Sequence, residues 1–179
     1  PKYERDPEAF FVAIATLKKR GIVTPSQHEF RLRACGHTEL YAQRVKDLEI
    51  HDLVSFPEAI AYQQALAEMR GADALMIFQD ATCNWQIPAK LFEYFRVEKP
   101  ILAWSDVTSD TGNLLAKHCD NYVMAPLQDS DKIAIAIENF LQKDAWQNQN
   151  TDVSQFSRQA LTRQLETLLV KVASNKADT

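Results

Sequence analysis

Residues 74–104, ALMIFQDATCNWQIPAKLFEYFRVEKPILAW, decide the fold. Ala74-Leu75-Met76-Ile77-Phe78 is apolar at every position, the pattern of a strand covered on both faces rather than one. Pro88 then opens a helical pattern that carries Leu91, Phe92 and Phe95. Pro100-Ile101-Leu102-Ala103-Trp104 is a second apolar strand, with its proline first, where the missing N–H is tolerated. Strand, helix and strand joined by short connections form the repeating unit of a parallel sheet with helices packed on its faces.

The same alternation extends in both directions. Upstream, Asp6-Pro7-Glu8 starts a helix: Asp6 can cap it, Pro7 suits the first helical position, and Glu8 favours the positive end of the dipole. Phe10, Phe11, Ile14 and Leu17 recur at helical spacing before Lys18-Lys19-Arg20 and Gly21 close the helix. Phe30 to Cys35 is expected to be a strand ending at Gly36, Thr38 to Leu48 a helix, Leu53 to Phe56 a strand stopped by Pro57, and Tyr62 to Arg70 a helix ending at Gly71. Downstream, Thr111 to Cys119 is expected to be helix and Tyr122 to Ala125 strand. Ile133 to Ile137 has a period of two that mimics a strand. Caps at Asp129 and Asp131, and a stripe continued by Phe140 and Leu141, favour a helix there.

Trp146 to Asn150 has the composition of a linker, and a last helix follows with Val153, Phe156, Ala160, Leu161, Leu165, Leu168 and Val172 on one face. The expected architecture is a Rossmann-like α/β three-layer sandwich with a mostly parallel sheet of about five strands. Residues 1–145 make its body, and residues 146–179 add the linker, closing helix and tail of the same domain.

Composition bounds the function. The chain has 179 residues, enough for one full core, with 46% hydrophobic and 25% charged residues. A net charge of −4 argues against a nucleic-acid module, which would show a basic face. Cys35, Cys83 and Cys119 are an odd, scattered set, so no disulfide framework is expected and a reducing cytoplasm is the natural setting. No signal peptide is visible, and no apolar run approaches the roughly 20 residues that a membrane-spanning helix needs. No initiator Met precedes Pro1, which leads us to expect a fragment of a longer chain.

The chemistry is expected where the loop leaving the 74–78 strand enters the helix at Pro88, because open parallel sheets bind ligands at the carboxyl ends of their strands. The first-turn N–H groups of Ala89 and Lys90 have no helical acceptor and favour a diphosphate. One turn on, Glu93 can accept hydrogen bonds from two neighbouring hydroxyls such as those of a ribose. Lys90 and Glu93 share a face, and on spacing alone a plain surface ion pair is the favoured reading.

His37, after Gly36 at a strand end, is either a ligand contact or a solvated loop residue. Cys35, His37, Cys83, His118 and Cys119 lack the paired spacing of a metal site, so no metal is expected and the cysteines read as small hydrophobes. Asp80, Asp106, Asp110 and Asp120 lie in or near loops. A receiver-like signalling domain would need an acidic pair ending its first strand, and Arg31-Leu32-Arg33-Ala34 offers none. Asn113 reads as a cap or surface residue. Four glycines leave little room for a phosphate-binding glycine loop, and none occurs.

The stretch Pro88-Ala89-Lys90-Leu91-Phe92-Glu93-Tyr94, then Lys99-Pro100-Ile101-Leu102-Ala103, resembles the C-terminal, nucleotide-sugar-binding half of GT-B glycosyltransferases, closest to the retaining group 1 type. Phe30 to Gly36, Leu66 to Phe78 and Phe156 to Val170 are similar to other elements of that half. The resemblance implies that Glu93 binds the donor ribose, as the second glutamate of the family's E-x7-E motif. Trp85 stands where the first glutamate would be. Arg5 falls where the family has a Lys on the donor diphosphate, and its planar fork suits phosphate oxygens. The family's glycine-arginine step would lie in a first strand upstream of Pro1.

The implied activity is glycosyl transfer from a nucleoside-diphosphate sugar, with retained configuration and no metal or other cofactor, in polysaccharide or glycan assembly. The implied catalytic residue is Arg5, and Glu93, Lys90, Ala89, Pro88, Gly36 and His37 hold the nucleotide. The partners are a glycan or lipid-linked acceptor and an N-terminal domain of the same chain, without which no turnover is expected. The setting is cytoplasmic, with membrane association through that other half. Alternatives are a nucleotide-sugar epimerase of the same architecture and a non-catalytic interaction scaffold.

Overall fold

A computed structural model of the chain describes residues 4–142 and 154–177. Helices and strands alternate as α1 (Glu8–Lys19), β1 (Phe30–Arg31), α2 (Thr38–Asp47), β2 (Val54–Ser55), α3 (Tyr62–Gly71), β3 (Leu75–Phe78), α4 (Ala89–Val97), β4 (Ile101–Trp104), α5 (Asp110–His118), β5 (Tyr122–Ala125), α6 (Ser130–Leu141) and α7 (Arg158–Ala177). Every strand pairing is parallel, and the α/β class and the parallel pairing are as expected.

The single sheet of about five strands is not what forms. The strands make two sheets, β1-β2 and β3-β4-β5. Among the described residues no strand lies between β1 and β3, so their facing edges share no ladder. β1 is also shorter than expected. Extended pairing continues past it through Leu32 N to Ser55 O at 2.9 Å and Ala34 N to Pro57 O at 3.0 Å. It ends where Pro57 has no N–H to return and Ala34 turns left-handed at φ 52°.

The larger sheet is covered on both faces, which explains its unbroken apolar strands. Leu102, Trp104 and Ala125, with Met76, Phe78 and Val123, pack into the layer of α1, α2 and α6. Leu75, Ile77, Ile101 and Ala103, with Tyr122 and Met124, meet Leu91, Tyr94 and Phe95 of α4 and Leu115 of α5. Side chains of one strand alternate between the two layers because the pleat has a period of two.

α1 spans the break. Its Phe10 is fully buried and lies edge-on to Phe30 of β1 at 5.4 Å and to Phe78 of β3 at 5.5 Å between ring centroids. The helix begins differently from the expected cap: Pro7 occupies the cap position, and Asp6 accepts from the N–H of Glu8 at 3.1 Å. It ends at Gly21, whose φ of 70° allows Ile22 N to reach back to Leu17 O at 3.0 Å.

The period-two segment is helical, as expected. Ile133, Ala134, Ala136 and Ile137 are buried while Ile135 is 56% exposed, and the Asp129 side chain caps the helix through Lys132 N at 3.0 Å. Phe156 docks on Phe92 and Phe95 at 5.2 and 6.1 Å. Leu161, Leu165, Leu168 and Val172 stay exposed, because nothing among the described residues covers that stripe. Val153 and the linker at 146–150 lie outside the described residues.

Because Phe10 is the side chain shared by both sheets, Phe10→Ala is expected to destabilise the fold by about 3–5 kcal/mol in urea unfolding. Ile135→Ala, on the solvent side of α6, should stay within about 0.5 kcal/mol of the parent.

Candidate functional site

The corner after β3 is built around Gln79, which is only 3% exposed. Its N–H continues the ladder to Trp104 O at 2.9 Å. Its side-chain amide donates to Cys83 O at 2.6 Å and to Gln86 O at 2.8 Å, and its Oε1 accepts the Thr111 hydroxyl of α5. A buried amide thus satisfies two loop carbonyls at once, which folds residues 80–86 back across the strand end and delivers the chain to Pro88. Asn84 holds the other side: its carbonyl accepts Asp110 N at 2.8 Å, and its own side-chain oxygen is buried with no partner.

α4 begins at this corner with nothing capping it. Pro88 is its cap residue, with extended backbone and no side-chain hydrogen bond to the first turn. Ala89 and Lys90 are exposed and, being first-turn residues, have amides without helical acceptors. Glu93 is half-buried one turn along. No hydrogen bond or ion pair joins it to Lys90 among the described residues, so the surface ion pair that the spacing allowed does not form. Next to it, Tyr94 donates its hydroxyl to Met76 O at 3.2 Å. Burial, reinforced by the Glu93 charge, pushes the Tyr94 hydroxyl up to about 12.

Two carboxylates repeat one arrangement at adjacent strand ends. Phe78 pairs with Trp104 in register, so Asp80 and Asp106 stand two residues past equivalent positions. Asp80 accepts Thr82 N at 3.0 Å and the Thr82 hydroxyl at 2.9 Å, and Gln128 donates to its second oxygen at 2.8 Å. Asp106 accepts Thr108 N and the Thr108 hydroxyl, both at 2.9 Å. These donors hold both carboxyls below the usual carboxylate range, the backbone N–H of the following threonine being the largest cause in each. The α5 start packs tightly behind Asp106. A Cβ on Gly112 would fall 2.5 Å from Val107 O, and the Gly112 N–H donates to the Ser109 cap at 3.0 Å.

The turn at residues 4–6 ties this corner to the end of β1. Asp80 N donates to Glu4 O at 2.8 Å, which places exposed Arg5 beside the loop after β3. Asp6, the next residue, acts on Tyr41 of α2, whose hydroxyl is raised by burial first and then by the nearby charges of Asp6 and Cys35. The Tyr41 ring meets His37 edge-on at 6.5 Å. His37 caps α2 in the left-handed region, at φ 60°, and both it and Gly36 are exposed. Arg5, Gly36, His37, Pro88, Ala89 and Lys90 therefore all lie on the carboxyl side of the strands.

Sequence reasoning missed Gln79 and Thr111. The available signal was an amide residue placed directly after an apolar strand, where a returning loop leaves carbonyls to satisfy. Among the described residues no group of His, Cys, Asp and Glu gathers to hold a metal ion, and no two cysteines form a disulfide. A shallow depression lined by Ala15, Lys18, Lys19, Leu48 and Glu49 lies at the far end of α1, away from this corner. No protein-family model matches the chain, and no curated protein matches it in sequence.

Gln79→Ala removes three buried hydrogen bonds, leaving Cys83 O to the Gln86 N–H and Gln86 O to the Thr111 hydroxyl, and should destabilise by about 1–3 kcal/mol, whereas Lys90→Ala should leave urea unfolding nearly unchanged. The folded pKa values of Asp80 and Asp106 lie below the ordinary 3.8. Their contribution to stability is full above that value and is lost as pH falls through the depressed values. Urea unfolding across that range should show stability dropping, and the Asp80→Asn, Asp106→Asn double variant should flatten the drop.

Proposed function

We propose that this chain is the donor-binding half of a glycosyltransferase, holding a nucleoside-diphosphate sugar at the carboxyl edge of its strands. One arrangement supports this above all: the uncapped first turn of α4 and the turn carrying Arg5 lie at the same strand end, joined through Asp80 N and Glu4 O. Two amides and a guanidinium at one corner suit the oxygens of a diphosphate. Glu93, half-buried and without a hydrogen-bond or ion-pair partner among the described residues, can accept two ribose hydroxyls.

The chemistry follows from the leaving group. Breaking the anomeric C–O bond puts negative charge on the nucleoside diphosphate. Donors fixed beforehand around that charge lower the barrier because they need not reorganise as it develops. Arg5 and the N–H groups of Ala89 and Lys90 serve this role here, without a metal ion. Glu93 fixes the nucleotide, and Gly36 and His37 border the site from the β1 side. The acceptor, a glycan or a lipid-linked sugar, and the remaining catalytic groups come from a second domain on the cytoplasmic side of a membrane, with the sugar transferred in retained configuration.

A second reading, an interaction scaffold that no longer binds donor, is favoured by Trp85. This residue is 86% exposed at the same corner and stands where the resemblance calls for the first glutamate.

Calorimetric titration with UDP, GDP and their sugar conjugates separates the two. Saturable binding that needs the diphosphate, weakened roughly tenfold by Arg5→Ala and by Glu93→Ala, supports the donor site. The absence of saturable binding with every nucleotide, or binding indifferent to both substitutions, overturns it in favour of the scaffold.

A further inference from the structure

The last helix, α7, leaves the body of the molecule after a single anchor. The turn before it is seated by Phe156, whose ring lies 5.2 Å from Phe92, 6.1 Å from Phe95 and 5.1 Å from His118 between centroids. Beyond that anchor α7 carries Leu161, Leu165, Leu168 and Val172, each between 50% and 57% exposed. A helix with such a stripe draws most of its stability from the surface that the stripe packs on. Among the described residues no surface does so.

The spacing of the stripe points to its partner. Leu161, Leu165, Leu168 and Val172 follow one another by steps of four, three and four residues, the period of a coiled-coil seam. Read backwards, the steps are the same. Two copies of α7 laid antiparallel therefore set Leu165 against Leu168 and Leu161 against Val172, so that every apolar position meets another. A patch that fits itself in this way is the basis of a two-fold symmetric pair.

Charge selects the direction. Arg158 stands in the same row, one heptad before Leu165, so a parallel pair would set two guanidiniums against each other inside the seam. The antiparallel pair carries them to opposite ends. Gln164 and Lys171 flank the row on one side, Thr162 and Leu169 on the other. Antiparallel packing sets each Lys171 beside Gln164 of the second copy and each Thr162 beside its Leu169, with no like charges facing. Arg163, Glu166 and Val170 fall on the outer side of the helix and stay in water.

We propose that α7 is a self-association element, pairing antiparallel with α7 of a second copy of this chain and closing Leu161, Leu165, Leu168 and Val172 into a two-helix seam. From Leu161 to Val172 the seam is roughly 16 Å long at 1.5 Å per residue. That is short of a standard interface, so the dimer forms reversibly, with a Kd on the order of 1–100 µM. The inference is independent of nucleotide binding.

Sedimentation equilibrium of the chain from about 5 to 500 µM tests it. A reversible monomer–dimer equilibrium is expected. The Leu165→Glu, Leu168→Glu double variant should weaken it by roughly thirtyfold or more, while Val170→Glu, an equally exposed position outside the seam, leaves it within about twofold. Gln164→Glu brings a carboxylate beside Lys171 of the second copy and should tighten the dimer roughly threefold at low salt, a gain that adding Lys171→Glu removes. A monomer throughout overturns the proposal and assigns the stripe to another part of the same chain or to a different protein. A dimer that survives the double leucine variant, or one weakened as much by Val170→Glu, overturns it as well. No tightening by Gln164→Glu overturns the antiparallel arrangement.

Discussion

Two parallel sheets that share no ladder among the described residues meet in one core, at whose junction the buried ring of Phe10 is set edge-on against Phe30 of one sheet and Phe78 of the other. Edge-to-face aromatic packing is directional, so this contact fixes the tilt of the sheets as well as their distance. Trp104, at 6.2 Å from the same ring, extends the cluster into the centre of the larger sheet. Everything at the carboxyl edge depends on that placement. The turn at residues 4–6 precedes α1 directly, so seating α1 across the break also sets the turn against Asp80.

From there the site is shaped by satisfying loop carbonyls rather than by charge. Gln79 gathers Cys83 O and Gln86 O and takes the Thr111 hydroxyl, so the β3–α4 loop is anchored from inside the protein and α4 starts without a cap. An uncapped first turn is a standing set of donors aimed outward. The neighbouring carboxylates do not compete for it, because Asp80 and Asp106 are each engaged by their own following threonine. Positive and donor groups are thereby left open at this corner while Asp80 and Asp106 are internally occupied.

Much of the architecture was legible because period and punctuation agree. Tyr122–Ala125 forms where it was expected, and Asp129 caps the helix that its period of two disguised. The split of the sheet was not legible, since apolar runs reveal that a strand is covered on both faces and say nothing about which edges pair. The exposed stripe on α7 shows the same limit. Helical spacing of Leu161, Leu165, Leu168 and Val172 marks a face able to pack without supplying the surface it packs on. At the site, Pro88 and the first-turn amides could be located from the sequence, because proline fixes a helix start. Gln79 could not, since its role depends on carbonyls that a loop presents only once folded.

The most direct measurement is an NMR titration of backbone amides with UDP and GDP, using the matching nucleosides as controls. The account predicts that the largest shifts fall on Ala89 and Lys90, with Arg5 following, and that the nucleosides leave these amides unmoved. Shifts confined to other surfaces, or the same shifts from nucleosides lacking phosphate, would contradict it.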